Sequence, residues 1–373
     1  MVINKMKLLP VFLFSLMSIP VVSQNPVYIG TYTKTEGHVD GKADGIYLMH
    51  QNAETGDLSE PVCVADVINP SFVKASPDGK NLYAVSELGP NDGESGFIHS
   101  FRRKDDNYLE EIGKISTESF APCHIEIDQS GKYAFVSNYV GGVVMVYERD
   151  EQGILQKKQK IELDNPEASH PHSVSISSDN NFAYINDLGN NKVWIYNFDA
   201  ETGKLSPNDT PYVDLEKGSG PRHFSFSKDE EYAYTINELN SSLSVFEKDS
   251  SGGLRLIESY SSLPENFDEK NSTADIHLHP TGNFLYASNR GHNSIVAFKV
   301  NKETGKLELI DHYSTQGEFP RNFAISPDGS FLYAANQNSD NISIFRINKM
   351  DGKLIRHLEP VEVKTPVCIE FSE

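Results

Sequence analysis

The chain has 373 residues, with 33 basic and 53 acidic side chains, and its net charge at pH 7 is −20. This excess of acid argues against nucleic acid as a partner, since binding to phosphates needs clustered lysine and arginine. The cysteine count of 3 is too low for a disulfide framework, and an odd number leaves at least one thiol unpaired within the chain.

The first predicted element is a secretory signal peptide over residues 1–23. An apolar run from Leu8 to Val22 follows two lysines, and Ser23 favours cleavage before Gln24. The run has about 15 residues, whereas a membrane-spanning helix needs about 20. We therefore expect an exported protein, periplasmic or secreted, without a stable membrane anchor. An uncleaved anchor is the alternative.

From residue 24 to residue 373, a unit of about 50 residues recurs seven times, which is typical of a β-propeller. In each unit, an apolar run ends in a polar pair such as Ser137-Asn138 or Asn237-Glu238, and a later turn is followed by leucine. Turns such as Ser76-Pro-Asp-Gly79 supply the backbone angles of a hairpin. The sequence therefore predicts one all-β domain, a seven-bladed β-propeller with four antiparallel strands per blade.

The first unit lacks one strand. Most units open with a proline-led strand, but unit one begins directly at Val27. The missing strand is present at the other end of the chain, as Pro366–Phe371. The C-terminal strand is therefore predicted to close the first blade and to leave no open sheet edge between the two ends.

Three columns of the aligned repeat differ from unit to unit, while the turns and apolar rows stay alike. Two of these columns are the positions directly after the opening proline of the first strand. The third is the second residue of the polar pair at the end of the second strand. Antiparallel pairing brings both positions to one mouth of the central channel. Variation confined to one rim indicates a site built on a scaffold. The candidates are His172, Asp187, Arg222, His223, Asn237, Glu238, Arg290 and Arg321.

The chemistry of these candidates suggests an anion site with proton transfer. Arg222, Arg290 and Arg321 can grip a carboxylate or phosphate through paired donors. Salt bridges to acids on neighbouring blades are the alternative. Glu238 and His172 are the candidates for general base and acid. A purely structural role in tying blade to blade is the alternative for these two.

Two pairs of histidines have a spacing that metals can use, His170-Pro-His172 and His277-Leu-His279. Neither pair has an obvious third ligand by spacing. No metal and no cofactor are therefore predicted.

Gly220-Pro-Arg-His223, followed by the segment from Tyr234 to Ser242, resembles the central blade of the seven-bladed lactonase family. Members of this family include propeller-type 6-phosphogluconolactonase and the 3-carboxymuconate lactonising enzyme. Ala274-Asp-Ile-His277, Asn289-Arg290, Pro320-Arg321 and His172-Ser173 extend the similarity over residues 24–373. The resemblance implies that His172, Arg222, Glu238 and Arg290 are active-site residues.

The resemblance also implies a reaction, the hydrolysis of a sugar-acid lactone as in 6-phosphogluconolactonase. The arginines would hold the anionic group of a small lactone and stabilise the oxyanion, with His223, Asn237 and Asp187 as further substrate contacts. Glu238 or His172 would activate water and the other would protonate the leaving alkoxide. The alternatives are a muconate-type lactonising cycloisomerase, or a non-catalytic propeller that binds an acidic sugar or a protein. The sequence specifies no particular protein partner.

Overall fold

The computed structural model describes residues 24–37, 39–357 and 359–372. These residues form seven antiparallel blades of a β-propeller, which confirms the predicted fold class. The predicted signal peptide, residues 1–23, lies outside the described residues. Within the described ranges, no helix has the length and apolar character needed to cross a membrane.

The strands are numbered in chain order. The first eleven are β1 Gln24–Thr31, β2 Thr35–Glu36, β3 Val39–Asp40, β4 Ile46–Asn52, β5 Val62–Ala65, β6 Val73–Ala75, β7 Asn81–Ser86, β8 Phe97–Arg103, β9 Leu109–Ser116, β10 Pro122–Ile127 and β11 Tyr133–Asn138. The next ten are β12 Val143–Arg149, β13 Leu155–Glu162, β14 Pro171–Ile176, β15 Phe182–Asp187, β16 Lys192–Asp199, β17 Lys204–Asp214, β18 Pro221–Phe226, β19 Tyr232–Asn237, β20 Ser242–Lys248 and β21 Leu254–Ser261. The last ten are β22 Ser272–Leu278, β23 Phe284–Arg290, β24 Ser294–Val300, β25 Leu307–Ser314, β26 Pro320–Ile325, β27 Phe331–Asn336, β28 Asn341–Ile347, β29 Leu354–Arg356, β30 Val361–Glu362 and β31 Pro366–Phe371, and a short 3-10 helix spans Gln337–Ser339.

The strands pair within blades in a regular order. Blade 1 is β31-β1-β4-β5, blade 2 is β6 to β9, and blades 3 to 6 take four strands each from β10 to β25. Blade 7 is β26-β27-β28-β29, with β30 also paired to β28, and β2 and β3 form a separate small hairpin. The first strands of successive blades contact one another around the ring, so they surround the central channel.

The C-terminal strand closes the ring as predicted. In blade 1, Val27 is opposite Phe371 and Ile29 is opposite Ile369 in an antiparallel register. The next blade holds the same strand, because the backbone N–H of Ala75 donates to the Glu370 carboxylate at 3.0 Å. The two ends of the described chain therefore share one sheet.

Apolar side chains fill the space between neighbouring blades. In one such cluster, Phe135 and Val146 of blade 3 pack with Ile185 and Trp194 of blade 4. All four side chains are buried. The β-branched and aromatic rows seen in the sequence therefore form the cores between blades, as expected for sheets packed face to face.

A tyrosine hydrogen bond repeats between blades. In five blades, a second-strand hydroxyl donates to a carbonyl in the outer turn of the next blade, at 2.7 to 2.9 Å: Tyr28 to Asn107, Tyr83 to Gly153, Tyr184 to Gly252, Tyr286 to Gly352 and Tyr333 to Gly56. The glycine of this turn also packs against an aromatic ring of the preceding blade, as Gly252 does against Phe182. At Gly252, φ is +85°, and a Cβ there would lie 2.4 Å from a ring carbon of Phe182. This contact explains why the turn recurs in the sequence.

A β-bulge marks the start of the innermost strand in blades 3, 4, 5 and 7, and the same bulge in blade 1 leaves Val367 as the extra residue. In blade 4, Pro171 pairs with Asp187 and Ser173 pairs with Asn186, which leaves His172 as the extra residue. The same position holds Cys123, Arg222 and Arg321 in blades 3, 5 and 7. Bulges re-aim side chains at the ends of strands, and here they do so beside the channel.

Tyr184→Phe removes one hydroxyl that joins two blades and leaves the buried carbonyl of Gly252 without this donor. We expect the free energy of unfolding to fall by about 1–2 kcal/mol, measured by chemical denaturation. Tyr234→Phe is the matched control, because Tyr234 is buried at the equivalent position of blade 5 but its hydroxyl has no partner within the described residues. We expect Tyr234→Phe to lower the free energy of unfolding much less than Tyr184→Phe does. Equal losses for the two variants would contradict this role of the hydroxyl.

Candidate active site

One mouth of the central channel opens into a cavity of about 610 Å³. Residues from all seven blades or their connecting loops reach its wall. Its charged and aromatic lining residues are Glu36, Glu87, Asp92, Tyr139, His172, Glu238, Arg290, Phe319 and Arg321. Four of the predicted site residues are therefore in the lining: His172, Glu238, Arg290 and Arg321.

Glu238 lies between two arginines from different blades. Its Oε2 atom is 2.9 Å from Arg222 Nε and 2.8 Å from Arg290 Nη2. The arginine side chains are only 2% and 4% exposed, and each also donates to a backbone carbonyl, of Ala274 at 2.5 Å and of Thr273 at 2.7 Å. Burial raises the pKa of Glu238, but the charges of Arg290 and Arg222 outweigh burial and hold the pKa below its usual value. Glu238 is therefore a carboxylate at neutral pH.

The two arginines retain buried donors. The Nε–H groups of Arg222 and Arg290 have no aligned acceptor among the described residues, although Arg222 Nε is close to Glu238. Burial and the charge of Arg290 lower the pKa of Arg222 to about 10, which leaves the group positively charged at neutral pH. Fixed, buried positive charges of this kind are suited to stabilising an oxyanion.

His172 lines the cavity as a neutral imidazole. Burial lowers its pKa, and the charge of Arg222 contributes further, so the pKa lies well below its usual value. The ring meets Tyr139 edge-on at 5.5 Å between centroids, and Nδ1 is 3.9 Å from Cys123 Sγ. Burial raises the pKa of the Cys123 thiol. Cys123 is therefore a protonated thiol and a poor nucleophile.

His223 and Asp275 form a buried pair behind Arg222. His223 Nδ1 is 2.7 Å from Asp275 Oδ1, and His223 Nε2 is 3.2 Å from Arg222 Nη1. Burial and the charge of Arg222 lower the pKa of His223 to about 4. The neutral ring can donate from Nδ1 to the carboxylate and accept from Arg222 at Nε2. His223, predicted as a substrate contact, is outside the cavity lining and orients Arg222 instead.

Asp187 and Asn237 also lie outside the cavity lining, and the strand register explains why. Pro171 pairs with Asp187 in blade 4, just as Pro221 pairs with Asn237 in blade 5. Asp187 is therefore equivalent to Asn237 and not to Glu238, so the predicted column was wrong by one residue at this blade.

The polar atoms of Asp187 and Asn237 are used within the fold. Asp187 is fully buried and accepts hydrogen bonds from Trp194 Nε1 at 3.1 Å and from the backbone N–H of His170 at 2.8 Å. Asn237 donates to the hydroxyls of Ser242 and Ser244, both at 2.9 Å. These contacts hold strands together and present no group to the cavity.

The corrected register identifies residues that the sequence comparison missed. Counted from the opening residue of the first strand, the column of Glu238 keeps Glu87, Arg290 and Gln337 and gains Tyr32, Tyr139 and Leu188. Tyr139 thus replaces Asn138. The sequence contains the information needed to find this column. The number of residues from the opening proline to the column is constant, whereas the position of the polar pair relative to that proline varies by one residue.

The two His-x-His pairs do not converge on a common point. Nδ1 of His170 is 2.9 Å from the backbone oxygen of Tyr139, whereas His172 lines the cavity. His277 and His279 contact different partners, a carboxylate and a backbone carbonyl. Within the ranges that the structure describes, no three His, Cys, Asp or Glu side chains are grouped as a metal site.

Comparisons with known proteins match the chain to one family. Residues 26–371 match the family model described as a lactonase with a 7-bladed beta-propeller. A 6-phosphogluconolactonase of Formosa agariphila is 38% identical over 314 residues, which is 80% of this chain and 86% of the relative. A 6-phosphogluconolactonase of Bacillus subtilis is 31% identical over 352 residues, which is 92% of this chain and 97% of the relative.

The fold of a solved structure is also similar along nearly the whole chain. The periplasmic gluconolactonase of Pseudomonas aeruginosa superposes with a TM-score of 0.87 at 31% sequence identity. The match covers 94% of this chain and 99% of the other.

Proposed function

The chain belongs to the seven-bladed β-propeller lactonase family, and from this premise we propose that it hydrolyses the lactone of a sugar acid. One observation carries the proposal. A carboxylate, Glu238, is held by Arg222 and Arg290 within a cavity that His172 also lines. Relatives named 6-phosphogluconolactonase and gluconolactonase support a sugar-acid substrate.

The arginines stabilise the charge that develops on the lactone carbonyl. Attack by water puts a negative charge on the carbonyl oxygen, and Arg290 in the cavity wall, with Arg222 buried behind Glu238, supplies positive charge beside it. A fixed, buried positive charge favours this state more strongly than water does. The same charges then attract the carboxylate of the product.

Glu238 and His172 are the candidates that accept a proton from the attacking water and return it to the leaving ring oxygen. Both are held in the unprotonated form, so either can accept a proton from the attacking water but neither can donate one at the start. The water oxygen bonds to the carbonyl carbon, and the bond from that carbon to the ring oxygen breaks. The residue that took the proton then returns it to the ring oxygen as a hydroxyl, and the new carboxylic acid ionises in solvent. This sequence needs no cofactor and no covalent intermediate.

Export is part of the same proposal. The predicted signal peptide would deliver residues 24–373 across a membrane, to the periplasm or beyond. The name of the periplasmic gluconolactonase of Pseudomonas aeruginosa supports this location. An exported enzyme would meet aldonolactones that form outside the cytoplasm.

Glu238→Gln keeps the size of the side chain and removes its charge and basicity. We expect it to lower kcat by about 100-fold or more on glucono-δ-lactone or 6-phosphogluconolactone, whichever the wild type hydrolyses, after subtraction of spontaneous hydrolysis. Glu247→Gln is the matched control, because Glu247 lies in the same blade and pairs with Arg255 at the surface. Equal rates for Glu238→Gln and wild type would overturn the role of Glu238.

The pH dependence of kcat/KM reports the bases in the free enzyme. Since the pKa values of His172 and Glu238 are both lowered, each base stays unprotonated in mild acid. We therefore expect kcat/KM to stay constant between about pH 8 and pH 6 and to fall only at lower pH. An acid limb centred at or above 6.5, the ordinary value for histidine, would contradict the proposed environment of the two bases.

A further inference from the structure

A second polar group lines the cavity on the side formed by blades 7, 1 and 2. Glu87 of blade 2 and Arg321 of blade 7 are in the cavity wall. Glu238 belongs to blade 5, three blades from Glu87 and two blades from Arg321. The sequence analysis considered acids of neighbouring blades only as salt-bridge partners for the arginines, and the mechanism above leaves Glu87 unused.

Glu87 is oriented by hydroxyl groups and has no ion-pair partner. Its Oε2 atom accepts hydrogen bonds from the Tyr32 hydroxyl at 2.9 Å and from the Ser71 hydroxyl. Its other oxygen, Oε1, accepts no hydrogen bond from any described residue, and no described lysine or arginine lies within ion-pair distance of the carboxylate. Glu87 is 9% exposed and lines the cavity. One oriented carboxylate oxygen is therefore available to a ligand.

The guanidinium group of Arg321 also has donors that are available to a ligand. Its guanidinium lies 5.5 Å from the centre of the Tyr32 ring. Within the described part of the chain it forms no hydrogen bond or ion pair, in contrast to Arg222 and Arg290, which are both paired with Glu238. A guanidinium that faces a cavity with its donors free is placed for a ligand as well.

We infer that Glu87 and Arg321 form a polyol subsite that binds the hydroxyl groups of the substrate, while Glu238 and its arginines act on the lactone group. This inference rests on the proposed lactone hydrolysis. A carboxylate accepts hydrogen bonds from sugar hydroxyls and a guanidinium donates to their oxygens, so a neighbouring pair of the two complements a diol.

The local charges favour hydroxyls over an anion at this subsite. A phosphate bound by Arg321 would also face the carboxylates of Glu87, Glu36 and Asp92, which line the same cavity. Like charges in a partly buried site raise the cost of binding an anion. Neutral hydroxyls avoid that repulsion and satisfy both free groups. A lactone without hydroxyls leaves both groups unpaired, and a site built for hydroxyls discriminates strongly against such a ligand.

Two lactones separate the subsite from the reaction centre. Glucono-δ-lactone and δ-valerolactone share the reacting ring, but only the first carries hydroxyl groups. We expect Glu87→Gln to lower kcat/KM for glucono-δ-lactone by about 10- to 100-fold. The loss on δ-valerolactone should be at least tenfold smaller. Glu238→Gln should lower kcat/KM for both lactones alike, because it acts on the group they share.

Three further variants sharpen the test. Ser71→Ala removes one hydroxyl that orients Glu87, and we expect a smaller loss of the same kind, again larger on glucono-δ-lactone. Arg321→Met should reproduce the selective loss. Glu110→Gln makes the same chemical change as Glu87→Gln at an exposed position in blade 2, and it should change neither kcat/KM. Thermal unfolding of each variant reports whether it is folded.

Several results would overturn the subsite. These are equal losses on the two lactones for Glu87→Gln, no loss on either, or a loss for Arg321→Met confined to 6-phosphogluconolactone, which would make Arg321 a phosphate anchor. If the wild type hydrolyses no lactone, the proposed function fails, but the subsite is still tested by calorimetry with gluconate. Weaker binding by Glu87→Gln than by wild type would support it, and equal or absent binding by the wild type and the variant would reject it.

Discussion

Neighbouring blades are joined by a contact between a second-strand tyrosine of one blade and the outer turn of the next. A single blade cannot bury both of its faces, so each must find a neighbour on either side. The tyrosine hydroxyls that reach turn carbonyls fix how successive blades meet, and the contact from Tyr333 to Gly56 joins the last blade to the first. With β31 completing blade 1, the ring closes, and apolar clusters lie between all seven pairs of neighbouring blades.

Ring closure leaves the inner ends of the strands free to carry chemistry. The β-bulge at the start of the innermost strand presents His172, Arg222 and Arg321 at one mouth of the channel. Burying such charges is costly unless each is paired or hydrogen-bonded. Glu238 compensates Arg222 and Arg290, whereas Glu87 and Arg321 have unpaired groups that face the cavity. We therefore assign the paired charges to the reaction centre and the free charges to the binding subsite.

The repeat in the sequence was sufficient to predict the fold, including the closing strand Pro366–Phe371, because turns and apolar rows report local structure directly. It also predicted that His172, Glu238, Arg290 and Arg321 lie at one mouth of the channel, where all four line the cavity. The error at Asp187 arose because the polar pair after the second strand is not a fixed landmark, whereas the spacing from the opening proline is. The use of Glu87 could not be read from sequence, since its hydrogen bond from Tyr32 exists only when blades 1 and 2 are side by side.

In the proposed complex, one cavity holds the reacting group at the arginines of Glu238 and the remainder of the sugar at Glu87 and Arg321. A crystal structure with bound gluconate would show both contacts at once. We expect the carboxylate of gluconate to lie within hydrogen-bond distance of Arg290, with its hydroxyls at Glu87. A carboxylate bound at Arg321 instead, or gluconate bound outside the cavity, would contradict it.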